Sequence, residues 1–308
     1  MDRTQFWKTF TLGSELNIAG RFIYNASESF HELSTFSHTD EIFEILYFFS
    51  VGFERLLKVA VVLIEHDDTI DQVEFKTSLI THSHLDLLHR VSSKHDLKLA
   101  GIHNEFLQIL GSFYKTHRYG RYGTGTLMVD VNERTLLCDF ISKYLNVALH
   151  DENPLDVAQN SPRFKKFIGK TAGRIACELY KIIYSESKRL NIYTSELRSD
   201  SKAAKIFLSK KYDFADEEVL TRELLLFFIT SDRTDGHIGY MKGLKALAFD
   251  EELEAEYIQC LASNEKKLQV MDELEALYDE VDDVGTRLSA ISVIGKGIVA
   301  YSAVGNIA

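Results

Sequence analysis

One apolar segment, residues 42–64, restricts the fold of this chain more than any other. Its apolar side chains recur at steps of three and four residues, which is typical of an α-helix. The residues that share one face of this helix are Phe49, Phe53, Leu56, Leu57, Ala60 and Leu63. Because the segment is apolar on nearly every side, we expect it to be the buried central helix of a bundle.

A membrane-spanning helix is the alternative for the same segment. Glu54, Arg55 and Lys58 lie near its middle, and charged side chains are costly in the hydrocarbon layer of a membrane. We therefore expect no stable membrane span there.

Neighbouring segments predict further helices around this one. Helices are expected at 75–91, 104–119 and 132–149, each with its own apolar face. Residues 1–39 alternate between aromatic and polar side chains and predict one or two short covering helices, with Trp7 as an anchor onto the core rather than a ligand platform.

The scarcity of proline supports an all-α fold. The chain has 308 residues and only 2 prolines, and no stretch shows the period-two pattern of a long strand. Both prolines, Pro154 and Pro162, fall in one polar loop. This loop predicts a boundary between a helical bundle at residues 1–150 and a second helical domain at residues 160–308.

The second half contains segments of opposite charge. A helix predicted over residues 162–191 carries a basic face that includes Lys165, Lys166 and Lys170, which indicates contacts with a nucleic-acid backbone. Residues 250–283 predict acidic amphipathic helices, which either face this basic helix or bind a protein partner.

The last segment, residues 288–308, is apolar and rich in small residues. A membrane-anchoring tail is one interpretation, but Lys296 and the short length favour burial in the fold or in a dimer. A protein partner could also bind this tail.

Three motifs in the first half resemble the HEPN superfamily, whose members are helical bundles common among prokaryotic RNA-cleaving toxins and phage-defence proteins. They are Gly52-Phe53-Glu54-Arg55-Leu56-Leu57-Lys58, His84-Leu85-Asp86-Leu87-Leu88, and the segment from Phe113 to Tyr122. The resemblance covers residues 40–145. It implies a HEPN-like bundle, and a homodimer, because active sites in that family form across two chains.

The resemblance also implies candidates for metal-independent RNA cleavage. Active members carry an arginine followed four to six residues later by a histidine, and Arg90 and His95 have this spacing, although one helix earlier than the family places it. At the later position stand His117 and Arg118, with no histidine at the required distance after the arginine. In such a site histidine moves a proton while arginine stabilises the charge on the phosphate.

The end of the third predicted helix mixes cations with aromatic rings. Lys115, Tyr119, Arg121 and Tyr122 are side chains that suit RNA, because rings stack on bases and cations hold phosphates. Cations at a helix end also complement the helix dipole, which is the plainer interpretation. The glycines that follow lack the Gly-Lys-Ser/Thr ending of a phosphate-binding loop, so an ordinary loop is expected.

The net charge and the spacing of cysteines and histidines disfavour several classes of function. A net charge of −11 disfavours a generally basic nucleic-acid binder while allowing a local basic patch. Three separated cysteines indicate buried thiols in a reducing cytoplasm, and no signal peptide begins the chain. The histidines of residues 82–117 lack the usual spacing of a zinc site, so neither a metal nor a cofactor is expected.

These observations favour an RNA-binding protein of the defence or toxin type, with metal-independent endoribonuclease activity as its extension. The alternative is a non-catalytic helical scaffold that binds a protein partner. An unrelated small-molecule enzyme is the third hypothesis.

Overall fold

The structure is a computed structural model of the chain, and it describes residues 3–122, 133–149, 158–192, 201–210, 212, 214–262 and 266–294. The chain divides into two compact units, residues 1–214 and residues 215–308. The described residues form helices and turns, with one isolated antiparallel bridge between Thr35 and Gln159 and no strand. The all-α prediction is confirmed.

Eight α-helices make up the described part of the first unit. They are α1 (Arg3–Glu32), α2 (Thr39–Glu65), α3 (Gln72–Ser78), α4 (His84–Ser92), α5 (Gly101–Lys115), α6 (Glu133–Leu145), α7 (Pro162–Arg189) and α8 (Lys202–Ala204). A 3-10 helix, His117–Tyr122, follows α5, and a π-helix, Lys205–Ser209, follows α8.

Helix α2 is the centre of the first unit, as its apolar sequence predicts. Most of its side chains from Ile42 to Leu63 are buried. Helix α1 runs antiparallel to it, because Trp7 contacts His66 at one end and Phe22 contacts Phe48 further along. Helices α4, α5, α6 and α7 cover the remaining faces of α2.

Two segments differ from their predicted helices. Residues 3–32 form a single 30-residue helix rather than short pieces. The helix predicted over 75–91 is instead two helices, α3 and α4. The hydroxyl of Ser83 accepts a hydrogen bond from the Asp86 N–H at 3.4 Å and begins the second of them.

The division between the two units lies after Phe214, so the boundary predicted at residues 150–160 does not coincide with it. The reason is that α7 completes the first core. Phe164 contacts Phe36 with 6.1 Å between ring centroids, and Ile168 and Ile175 are fully buried. Asn160 Nδ2 also donates to the carbonyls of Phe30 and Leu33, at 2.7 and 3.0 Å.

Close helix contacts in this unit depend on glycine. A Cβ added to Gly20 would lie 2.5 Å from Ala203 Cβ, and one added to Gly169 would lie 2.5 Å from the Tyr212 carbonyl oxygen. A Cβ on Gly173 would overlap the Tyr212 ring. These glycines therefore allow α1 to contact α8, and α7 to contact the segment around Tyr212.

The second unit contains α9 (Ala215–Thr230), α10 (Gly236–Gly243), α11 (Glu254–Ala262), α12 (Leu268–Asp279) and α13 (Val284–Ile291). Among its described residues, Ile238 and Cys260 are the buried apolar side chains. Residues 295–308 of the apolar tail lie outside the described residues.

No helix within the described ranges has both the length and the apolar character needed to cross a membrane.

Candidate nucleic-acid interface

Arg90 is held by a carboxylate of the central helix. Its Nε donates to Glu65 Oε1 at 3.1 Å and its Nη2 to Glu65 Oε2 at 2.5 Å, while Nη1 donates to the Ser78 carbonyl at 3.2 Å. The guanidinium therefore ties α4 to the end of α2 and to the end of α3. Two of its donor positions are already occupied by a carboxylate that competes with any phosphate.

His95 lies in a second group of charges beside the same end of α2. Its Nε2 is 3.2 Å from Glu186 Oε1, and the buried Glu186 carboxylate also accepts from Arg189 at 2.6 Å. Arg189 in turn donates to the Leu63 carbonyl at 3.4 Å. This group joins α7 and the segment after α4 to the carboxyl-terminal end of α2.

His117 and Arg118 lie elsewhere, in the 3-10 helix after α5. The Arg118 guanidinium carbon is 3.8 Å from the centre of the Tyr114 ring, and Tyr114 contacts Tyr47 of α2 at 5.8 Å. Tyr47 and Glu65 are 18 positions apart on one helix, or about 27 Å along its axis. The structure thus divides the four cleavage candidates into two pairs and does not unite them within one chain.

We call the surface around Arg118 the Tyr114 surface; it consists of Phe43, Tyr47, His82, Tyr114, Arg118 and Tyr119. Its rings form a continuous series. Tyr114 contacts His82 at 4.9 Å and Tyr47 at 5.8 Å, and Tyr47 stacks with Phe43 at 6.4 Å. Arg118 lies 4.5 Å from the centre of the Tyr119 ring as well.

Exposure makes part of this series available to a ligand. Tyr119 is 58% exposed and Tyr122, three residues later, is 89% exposed. Lys115 is also exposed. The side chain of Arg121, another predicted contact, lies outside the described residues. An exposed ring beside an arginine is the arrangement on which an unpaired base stacks.

A partly buried ion pair borders the Tyr114 surface. Glu54 Oε1 accepts from Lys58 Nζ at 2.6 Å, and Glu54 Oε2 lies 2.9 Å from His82 Nδ1. Burial opposes ionisation of Glu54, but the hydrogen bonds from Lys58 and His82 outweigh it and lower the pKa of the carboxyl. The contact with Glu54 holds the His82 imidazole beside Tyr114.

Sequence reasoning did not identify Glu54, Lys58 or His82 as site residues. The available signal was a glutamate and a lysine four positions apart inside an apolar helix, which marks charges that must be paired. Their partner His82 lies 28 positions from Glu54, outside the reach of any local pattern.

His84 has a structural role. It is buried, and its Nε2 donates to the Ser50 carbonyl at 2.8 Å. Burial lowers the pKa of this imidazole, so it remains neutral at physiological pH. Within the part of the chain that the structure describes, no group of histidine, cysteine and carboxylate side chains is arranged to hold a metal ion.

The outer face of α7 is basic. Lys166 and Lys170 are exposed and Lys165 is partly exposed. Arg163 and Arg174 lie on the same side of the helix, since the positions 163, 166, 170 and 174 follow steps of three and four. Arg174 donates to the Lys98 carbonyl at 3.2 Å and lies 3.5 Å from Glu178, so part of this charge is already neutralised.

Two surfaces of the first unit can therefore contact a nucleic acid. The Tyr114 surface offers rings with a cation, and the outer face of α7 offers ammonium groups that suit phosphates.

Comparisons of the chain with models of protein families, with curated proteins and with solved structures gave no match.

Proposed function

We propose that this protein binds single-stranded RNA through the Tyr114 surface. The observation that carries the proposal is the position of Arg118 between the rings of Tyr114 and Tyr119, at 3.8 and 4.5 Å from their centres. Exposed aromatic rings bind bases through their faces, and a neighbouring guanidinium binds phosphates through its charge.

Single-stranded RNA fits this surface better than a duplex. Bases in a helix are stacked on one another and present only their edges, whereas an unpaired base can stack on Tyr119 or Tyr122. We assign Lys165, Lys166 and Lys170 to contacts with the phosphate backbone. Both surfaces lie near the start of α2. Helix α7 begins beside Phe36, just before α2, and the Tyr114 surface includes Phe43 in the first turns of α2.

The test is fluorescence anisotropy with a labelled unstructured RNA of about 12 nucleotides, a length chosen to span one binding surface. Arg118→Ala and Tyr119→Ala should each weaken binding about 5- to 150-fold, because one base stack contributes about 1–3 kcal/mol. Lys166→Ala should weaken binding less and reduce its dependence on salt.

Arg222→Ala is the matched control. Arg222 is an exposed arginine of the second unit that pairs with Glu218 at 3.3 Å. Its removal changes the net charge by the same amount as Arg118→Ala and should leave RNA affinity unchanged. Equal loss of affinity in both variants would show that binding follows net charge and would contradict a specific site.

RNA cleavage is a separate hypothesis with a separate requirement. The four candidates Arg90, His95, His117 and Arg118 lie in two pairs, so a joint active site requires a homodimer. Analytical ultracentrifugation tests for the dimer. A cleavage assay in EDTA that detects 2′,3′-cyclic phosphate ends tests the chemistry, in which the 2′-oxygen bonds to phosphorus and the 5′-oxygen leaves with a proton.

A non-catalytic scaffold that binds a protein partner is the second candidate function, and the second unit favours it. Helix α9 has no buried side chain, and its apolar run is exposed: Leu224 44%, Leu226 56%, Phe227 49%, Phe228 43% and Ile229 77%. Exposed apolar area of this kind usually marks an interface. A protein that binds no RNA and self-associates until Phe227→Ser and Ile229→Ser are introduced would support this second function.

A further inference from the structure

A cavity of about 500 Å³ lies at the end of α2 opposite the Tyr114 surface. The first turns of α1, the segment after α2 and helix α3 line it, and it is open to solvent. Its aromatic lining comes from Trp7, His66 and Phe75, and charged groups come from Arg3, Asp68 and Lys76. The volume and the mixed lining are those of a small-molecule site.

Three rings contact one another in the wall of this cavity. His66 contacts Trp7 edge-on at 4.9 Å and Phe75 edge-on at 5.3 Å. The backbone of His66 is fixed, because its carbonyl accepts from the buried Lys8 Nζ at 2.7 Å. Trp7 contacts the core, as expected, and it lines the cavity as well.

The Gln72 side chain determines which nitrogen of His66 carries a proton. Its Nε2 donates to the carbonyls of Asp67 and Ile70, both at 3.1 Å, so the amide orientation is set. Gln72 Oε1 then lies 2.6 Å from His66 Nε2 and accepts its hydrogen. In the neutral imidazole Nδ1 is therefore a bare acceptor.

This Nδ1 is buried and has no hydrogen-bond partner, while the His66 residue is only 8% exposed. An unsatisfied buried acceptor destabilises a fold by about 1–3 kcal/mol, and a ligand donor that reached this atom would remove that cost. Because Nδ1 has almost no exposed surface, a ligand reaches it only when Trp7 or Phe75 moves aside, and both of these side chains are partly exposed.

We propose that this cavity binds a small planar heteroaromatic molecule that carries an N–H donor and an anionic group. The ring lies against Trp7 and Phe75, its N–H donates to His66 Nδ1, and Arg3 and Lys76 hold the anion. Two sources share this chemistry, a purine mononucleotide and an aromatic carboxylic acid such as an indole carboxylate. The site is separate from the proposed RNA interface and does not depend on it.

Trp7 is the only tryptophan of the chain, so its fluorescence reports directly on the cavity. The full-length protein is titrated with AMP, adenosine, indole-3-carboxylate and inorganic phosphate up to about 5 mM. A dissociation constant above this limit corresponds to a binding free energy weaker than about −3 kcal/mol. The indole probe is itself fluorescent, so its arm is read by calorimetry. AMP or the indole acid should give a saturable signal; phosphate alone should give none.

Two variants separate ligand recognition from folding. His66→Phe keeps the ring contacts and removes the acceptor, and it should weaken binding about tenfold, the equivalent of one hydrogen bond. Lys76→Glu, an exposed change on α3, should weaken AMP binding and leave adenosine binding unchanged. Arg118→Ala, the RNA-interface variant, should not alter either titration.

The outcomes decide the proposal in both directions. Saturable binding that Lys76→Glu weakens for the anionic probes supports it, and which probe binds identifies the source. The absence of a saturable signal with every probe would overturn the proposal. So would Lys76→Glu and His66→Phe proteins that remain folded by circular dichroism and bind the anionic probes as tightly as the unaltered protein. Neither result would bear on RNA binding.

Discussion

Arg90 and Glu65 form a two-point ion pair, with Nε–Oε1 at 3.1 Å and Nη2–Oε2 at 2.5 Å. Both side chains are about three-quarters buried, with 24% and 28% exposed. Parallel hydrogen bonds of this kind fix the relative position of the two helices that supply them. The arginine that the resemblance marks as catalytic thus holds α4 on the end of α2.

The first prediction follows from that pair. Arg90→Ala should lower the free energy of unfolding by about 1–3 kcal/mol, because it removes three hydrogen bonds and leaves Glu65 without its partner. Urea denaturation followed by circular dichroism measures this loss. Arg163→Ala, which removes one hydrogen bond to the Leu145 carbonyl, is the control and should cost less. Unchanged stability together with a loss of RNA cleavage would restore Arg90 as a functional residue.

The second prediction concerns acid sensitivity. The folded protein lowers the pKa of Glu54 below its ordinary value of 4.5, so the stabilisation is present above that value and is lost as pH falls through the lowered pKa. Glu54→Gln should therefore lower stability at pH 7 by about 1–3 kcal/mol. Below pH 4.5 the difference from the unaltered protein should shrink.

Urea denaturation at several pH values between 7 and 3 measures this effect. Glu74→Gln is the matched control, since Glu74 is an exposed glutamate in the first turn of α3. A stability difference between Glu54→Gln and the unaltered protein that stays constant down to pH 3 would contradict the role assigned to the Glu54 carboxylate.

The third prediction tests the contact between α7 and Tyr212. Alanine normally stabilises a helix interior by about 1 kcal/mol relative to glycine. At Gly173 the new methyl group would overlap the Tyr212 ring, so Gly173→Ala should instead destabilise the protein by about 1–3 kcal/mol. Thermal unfolding shows the sign directly.

Gly101 provides the comparison for that experiment, because a Cβ added there would meet no atom within 4 Å beyond its chain neighbours and its own helix backbone. Gly101→Ala should be neutral or slightly stabilising. If both alanine variants raise the melting temperature, the Tyr212 contact is looser than the structure indicates.

The architecture of the first unit could be predicted to the extent that it depends on local patterns. The apolar period of residues 42–64 predicted α2, which spans Thr39–Glu65, because an apolar helix has to be buried. The domain boundary could not be predicted in the same way. Pro162 begins α7 and Pro154 lies outside the described residues, but a proline does not show whether the next helix joins the same core, as α7 does.

Less of the candidate site than of the fold could be predicted from the sequence. Tyr114, Arg118 and Tyr119 are close together in sequence, so their common surface could be expected. The partners that decide the roles of individual side chains are distant: Glu65 lies 25 positions before Arg90, and Glu54 lies 28 positions before His82. Spacing alone cannot show that the arginine of a motif already forms an ion pair with a carboxylate.

The first helix of the chain also contacts the last segments of its unit. Gly20 meets Ala203, Glu28 pairs with Lys202 at 3.1 Å, and Tyr24 contacts Phe214 at 5.2 Å. During synthesis at about 5–20 residues per second, Ala203 leaves the ribosome roughly 7–28 s after Glu65, the last residue of α2. The nascent α1–α2 hairpin therefore presents an uncovered apolar flank for that interval, when chaperones have access to it.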